Sequence, residues 1–470
     1  MMIKILLLLS VIFLSHFLVN GQDYKILSQL PVDDNFSVST LRYKRDEFGV
    51  GLLNNKGIMS KEQTLKSSPG GLGLAGDNIV LICIDSKNYK TTGYSALLLN
   101  KKSLNVVREQ SLFTKKNSNR ISSTLLNDPN NNFCFALFRE TKYDEGFHML
   151  GPSGFDTKYL ESSTIQLVSL NNKLEPKNIE IKTAASASFF AGASSDGYRN
   201  IYICSFTNSN ITMEKFDSTG KLLAKLSSPF SVWKNPYFNF VIKNDRGDQS
   251  CVTIASICLN SDKKMAQNVI RFDFTNNKVL TAGEIILNKE YRQTLKNVNE
   301  EAKGRHFADM GSLDPVQILE DATRVILIKE IKGEQAGGKN EATTYYRDGS
   351  IITVYNKKTF EVERDIVIDK GFSTFVEPSD GIAAHLSDNY LWAVICENSG
   401  LTSFKTYVNK INLNTGEVTK TEIEKEDIGK GWVTFPKQIA WFKKNYVVPF
   451  FKVSSPISFS FESAFIVKPY

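Results

Sequence analysis

Ile79-Val80-Leu81-Ile82-Cys83, Ile201-Tyr202-Ile203-Cys204, Ile254-Ala255-Ser256-Ile257-Cys258 and Val394-Ile395-Cys396 share one outline. Each is a short apolar run that ends on a cysteine and then turns polar. Phe133-Cys134-Phe135 is a variant of the same run. Every copy follows a polar Asp/Asn-rich turn and precedes a second apolar strand with its own tight turn. Short, continuous apolar runs between turns read as strands buried between neighbours. Their recurrence marks an internal repeat, which decides the architecture of the whole chain.

The second half of each unit reads as a hairpin. Leu98-Leu99-Asn100-Lys101-Lys102-Ser103-Leu104-Asn105-Val106 aligns with Val354-Tyr355-Asn356-Lys357-Lys358-Thr359-Phe360-Glu361-Val362. Phe216–Leu222 and Ile411–Val418 are equivalents with a Gly turn. Asn, Asp and Gly supply the turn conformations, and alternating apolar residues supply the strands. A short strand of small residues, such as Gly71-Leu72-Gly73-Leu74-Ala75, precedes each cysteine strand and suits a crowded axis. Four strands per unit, repeated radially, make a β-propeller. Full units fall at about 70–112, 119–182, 185–227, 236–288, 306–368 and 372–424, and a partial one at 432–470.

The chain resembles the broad β-propeller superfamily in blade pattern, over most of its length. It lacks the Gly-His and Trp-Asp pairs of WD40 blades and the Gly-Gly doublets of kelch blades. The expected fold is all-β, with seven four-stranded blades; eight is the alternative. Residues 22–470 form one propeller domain. Within it 22–33 is the closing strand, in which Tyr24–Leu30 pairs with the C-terminal strand near Ala464–Lys468. Residues 34–69 are an irregular blade or flap, and 70–470 hold the blades.

Residues 1–21 read as a signal peptide: Lys4 is followed by the almost wholly apolar Ile5–Val19, with Val19-Asn20-Gly21 at a cleavage site. The expected product is secreted, extracellular or periplasmic, monomeric and not membrane-spanning. The formal net charge of +7 is mild for 470 residues and shows no dense Lys/Arg block, which argues against nucleic-acid binding. Six cysteines in an exported chain suggest disulfides. Five of them sit in different units, so buried free thiols are expected instead.

In a four-stranded antiparallel blade, the first-to-second and third-to-fourth turns share one face. The second-to-third turns and the inter-blade links share the other. The first set is tight throughout, whereas the long insertions, 140–162, 289–313 and 332–348, all belong to the second set. Loops on a rigid scaffold carry function, and these are rich in Tyr, Arg and His. The leading ligand contacts are Tyr143, His148, Arg305, His306, Tyr345 and Tyr346, with Trp233, Glu377 and Trp432 in shorter links of the same face.

Two functions fit. One is a binding or scaffold propeller that engages a protein or glycan through the loop face. The other is a hydrolase or lyase on a carbohydrate-like substrate, with His306, His385 and Asp380 as acid–base groups at the channel mouth. No nucleophile elbow, phosphate loop, dinucleotide fingerprint or zinc spacing occurs, so neither cofactor nor metal is expected. Abundant Tyr and Arg favour binding.

Overall fold

The computed structural model describes residues 22–470 except 24, 45, 89–90, 117–119, 128–133, 144–159, 171–176, 182–188, 208, 233–237, 246–249, 299–312, 336–343, 372, 375–380, 399–402, 424–430 and 456–457. Its strands pair into eight antiparallel sheets, seven of them with their strands in sequence order from inside to outside and the eighth with Gln22–Asp23 added as its outermost strand. We number them by position: sheet 1, 25–65; sheet 2, 68–116; sheet 3, 120–181; sheet 4, 189–229; sheet 5, 238–286; sheet 6, 313–374; sheet 7, 382–422; sheet 8, 432–469 with 22–23. The first strands of successive sheets touch from sheet 1 to sheet 7, that of sheet 7 touches the turn Pro436–Gln438 of sheet 8, and Ala440–Trp441 of sheet 8 touches the first strand of sheet 1, so the series closes on itself. The chain is a β-propeller.

Every repeat unit expected from the sequence corresponds to a sheet. The difference lies at the N-terminus. Lys25–Pro31 does not pair with the C-terminal strand; it pairs with Phe36–Lys44 and opens sheet 1. Residues 34–69, expected as a flap or irregular blade, supply the rest of that regular four-stranded sheet. Closure falls instead to Gln22 and Asp23, which pair with Ser463 and Glu462 as the outermost strand of sheet 8. The seam is reinforced by Gln438 Nε2, which donates to the Ile26 carbonyl at 2.5 Å, and by Asn445 Nδ2, which donates to that of Asn55 at 2.7 Å.

The core lies between sheets. Val80, Ile82 and Leu98 of sheet 2, for example, meet Ala136, Phe138 and Val168 of sheet 3. Second strands are sandwiched on both faces, so Ile201–Phe206 is buried at every position. The tight turns repeat one chemistry. Asn100, Asn356 and Asn412 each accept two backbone N–H bonds through Oδ1, and the fifth turn residue takes a positive φ: Leu104 61°, Phe360 64°, Gly416 80°. Leu104 and Phe360 are buried. Burying such side chains gains roughly 1.5–3 kcal/mol, enough to offset the strain.

All six cysteines are free and buried. Burial pushes the Cys83 and Cys258 thiols up to about 12. The five expected copies do lie on second strands, but on both faces of them. Cys83, Cys134 and Cys258 face the preceding sheet, whereas Cys204 and Cys396 face the following one. Cys134 also opens its strand, Cys83 sits at the middle of its own, and Cys204, Cys258 and Cys396 fall in the later half of theirs. A strand buried on both sides accepts a small apolar residue on either, so the recurrence marks the strand and not one position.

Two measurements follow from this arrangement. Alkylation without reductant should label none of the six thiols in the native protein and all six in denaturant; two missing labels would reveal a disulfide. Removing residues 22–23 should lower the melting temperature by a few degrees, because the edge of sheet 8 is bared. Removing 22–31 deletes a whole inner strand and should leave an aggregating chain. Equal melting of the two truncations would contradict the strand pairing.

Candidate ligand-binding face

Strand order puts the connections with long insertions on one face, as the sequence predicts. Tyr143 ends the strand Cys134–Tyr143 at the mouth of the first insertion, where it pairs with Leu160 across a register shift. Tyr345 and Tyr346 lie near the start of Thr344–Asn356. Their backbone is paired on both sides, with Glu334 and Gly333 in one neighbour and with Thr374 and Ser373 in the other. His148, Arg305, His306, Asp380, Trp233 and Glu377 lie outside the described residues. Trp432 is buried between sheets 7 and 8, so it is core and not a surface contact.

The hairpin Arg324–Gln335/Thr344–Asn356 runs past the end of sheet 6 toward this face. Its register shifts beside Lys332, leaving Asp348 as the extra residue. A bulge of this kind bends a hairpin where it leaves the sheet.

Beneath the extension lies a network that the sequence reading missed. Lys329 and Glu330 are neighbours on Arg324–Gln335, are fully buried, and point to opposite sides of the sheet. Lys329 reaches toward sheet 5 and the helix Lys289–Val298. Its Nζ donates to Gln267 Oε1 at 2.6 Å and to Tyr291 Oη at 3.2 Å. Tyr291 in turn donates to Asp365 Oδ2 at 3.3 Å, Thr353 donates to Asp365 Oδ1, and Gln267 Nε2 donates to Tyr355 Oη. Burial lowers the Lys329 pKa to about 8, partly countered by the Asp365 charge. The same two causes raise Tyr291 well above its usual 10.

Glu330 faces sheet 7. It forms an ion pair with Lys370, accepts the Gly381 N–H at 3.0 Å, and stands 3.7 Å from Arg347 Nε. A Cβ on Gly381 would lie 2.5 Å from Glu330 Oε1 and 2.7 Å from Lys370 Nζ, so the chain needs glycine there. Lys370 and Gly381 bracket the link that carries Ser373 and Thr374. The buried pair therefore ties down the strand flanking Tyr345 and Tyr346. The arrangement is positional: Lys329, Glu330 and Lys370 are enclosed, while Tyr291 and Asp365 at the edge of the network are half-buried. The one sequence signal was a Lys-Glu pair closing the apolar run Val325–Ile328.

His385 lies elsewhere. It is three residues, about 10 Å, beyond Ile382 on a strand that ends in the tight turn at Asp388. Its ring stacks on Trp441 at 5.3 Å and on Tyr470 at 5.7 Å, in an aromatic seam with Trp392 and Tyr446 between sheets 7 and 8. This is the tight-turn half of the strand, away from the mouth where acid–base work was expected. Among the described residues, no group of three or more His, Cys, Asp or Glu side chains could hold a metal ion.

No protein-family model matches the chain, and no curated protein matches it. Solved structures do resemble it. A prolyl endopeptidase is 10% identical with a TM-score of 0.42, over 92% of this chain and 55% of that one, so this chain spans about half its length. The β-propeller domain of the Trilobed protease from Pyrococcus furiosus is 11% identical with a TM-score of 0.40, over 86% and 97%. The WD40 domain of SCAP from fission yeast is 10% identical with a TM-score of 0.40, over 96% and 98%. These are likenesses of fold and transfer no functional residue.

The buried lysine generates a pH prediction. Its folded pKa is depressed below the unfolded 10.5, so the unfolded chain binds more protons between pH 8 and 10.5. This group's contribution to stability should therefore rise with pH across that window. Against Lys329→Met, which cannot titrate, the wild type should gain on the order of 3 kcal/mol from pH 7.5 to 10.5 in urea unfolding. Subtracting the variant cancels tyrosine and cysteine ionisations common to both. A pH-independent difference would show that Lys329 does not titrate with the depressed pKa.

Proposed function

We propose that this chain is an exported binding propeller that engages a protein or glycan through its loop-bearing face. The contacts are Tyr143, His148, Arg305, His306, Tyr345 and Tyr346, centred on the hairpin extension of sheet 6. The observation that carries the reading is how that extension is held. Tyr345 and Tyr346 are paired on both sides, and the flanking link is tied to Glu330 through Lys370 and Gly381. A segment fixed in this way loses little conformational freedom when a partner docks, and tyrosines supply broad contact area at low entropic cost. The location of His385 in the aromatic seam favours binding over acid–base chemistry. Export rests on the apolar leader Ile5–Val19.

Capture from a glycan array and from a secreted-protein pool with the wild type supplies the partner. Tyr345→Ala with Tyr346→Ala should then weaken affinity at least tenfold, about 1.4 kcal/mol or more. His385→Ala should leave affinity unchanged. Crosslinks from the captured partner confined to the tight turns, such as Asn100–Asn105 or Asn412–Glu417, would overturn the assignment of the face.

A further inference from the structure

A cleft of about 500 Å³ opens between the outer halves of sheets 4 and 5, at the end nearer the loop-bearing face. Its origin is a break in the outer strand of sheet 5. Lys278–Thr281 and Ile285–Ile286 both pair with Met265–Asp273; between them Ala282 keeps one bond to the Val269 carbonyl, and Gly283 and Glu284 bulge away. Gly283 turns there with φ +74°, and nothing stands within 4 Å of where its Cβ would be. The outer strand of sheet 4, Leu222–Pro229, forms the opposite wall.

The walls combine three kinds of group. Phe230 and Ile270 give a buried apolar floor. Ser228 and Thr281 add hydroxyls, and Glu284 adds a carboxylate at the rim. Only Oε1 of Glu284 accepts the 2.8 Å bond from Asn260 Nδ2. The third group is Asn268, which sits on the same side of its strand as Ile270. Its Nδ2 is buried and has no hydrogen-bond acceptor among the described residues. A buried N–H without an acceptor is costly, and structures retain such groups rarely and for a reason.

We propose that this cleft binds a neutral saccharide, and that an acetamido sugar fits it best. The acetamido carbonyl supplies the acceptor that Asn268 Nδ2 lacks. The methyl group packs on the Phe230 and Ile270 floor. The sugar hydroxyls meet Ser228, Thr281 and Glu284. The volume falls within the 300–1,000 Å³ usual for small-molecule sites. The proposal stands apart from the partner face around Tyr345 and Tyr346, with which it shares no residue, so either can fail while the other holds.

The probes are N-acetylglucosamine and glucose, titrated into the full chain and followed by saturation-transfer NMR. N-acetylglucosamine should bind saturably, with glucose at least tenfold weaker. Asn268→Ala should weaken N-acetylglucosamine binding at least tenfold. Thr281→Trp, a surface change that fills the cleft and leaves the core untouched, should abolish it. No saturable binding to the wild type at tens of millimolar means that the cleft holds only water, and overturns the proposal. So does undiminished binding in a folded Thr281→Trp. Equal affinity for glucose would overturn the acetamido assignment.

Discussion

The pairing of Gln22 and Asp23 with Ser463 and Glu462 joins the N-terminal and C-terminal parts of the propeller, and the rest of the structure depends on that joint. A sheet in this ring has no core of its own. Its apolar faces are covered only by the sheets on either side, so an open ring would leave two faces and two strand edges in water. At the joint the cover is continuous. Ile26, Leu41 and Leu53 of sheet 1 pack directly on Val447, Phe451 and Phe465 of sheet 8. Gln438 and Asn445 bind backbone carbonyls across the same boundary. Residues from opposite ends of the sequence thus share one core, and the first sheet cannot complete its cover until the last is made.

Sheets 5, 6 and 7 meet through charge as well as apolar contact. Toward the tight-turn face, Arg271 bonds Asp245 at 2.6 Å and Glu320 at 2.9 Å, and Lys357 bonds the same two carboxylates. Two cations and two anions, all largely buried, satisfy one another across the sheet 5–6 interface. Toward the loop face, Glu330 and Lys370 do the same between sheets 6 and 7. Buried pairs add little net stability, because desolvation consumes most of the Coulombic gain. What they contribute is selectivity of arrangement, since an interface that slipped would strand charges in apolar surroundings. The region that carries the longest hairpin and the only α-helix among the described residues is therefore also the one whose geometry tolerates least displacement.

The repeat was legible because second strands are buried on both faces and so read as unbroken apolar runs. Sheet 1 read only as an irregular blade or flap, for the opposite reason. Its second strand, Phe36–Lys44, carries Ser37, Ser39 and Thr40 in buried positions. Ser37 donates to the Leu30 carbonyl, Ser39 accepts from Gln29, and Thr40 bonds Ser28. Those hydroxyls are satisfied only by the neighbouring strand, so the sequence shows a polar stretch where the fold has a core strand. The cysteines misled more subtly, by marking the right strand on alternating faces. The Lys329 network was invisible to any local reading: Gln267 lies 62 residues away and Tyr291 lies 38. Sheet stacking, not sequence spacing, brings those groups together.

The two faces of the ring then differ for a physical reason. Tight turns such as Asn100–Asn105 and Asn412–Glu417 are fully specified by their own side chains. Each is closed by an Asn oxygen and a left-handed residue, which leaves no room for insertion without rebuilding the hairpin. Among the second-to-third turns, Asn260–Lys264 of sheet 5 carries the same lock, with Asn260 Oδ1 accepting two backbone N–H bonds and Lys263 at φ 61°, whereas the connections at 140–162, 289–313 and 332–348 have taken added length. Added length alone makes a loose segment, costly to order when a partner binds. Sheet 6 avoids that cost by extending its hairpin as paired strand and tying the adjoining link to a buried ion pair. Sheet 5 departs from regularity differently, by breaking its outer strand and leaving Asn268 Nδ2 without an acceptor among the described residues. A presented edge suits a large partner, and a recessed donor suits a small one. Both lie toward the loop-bearing side of the ring.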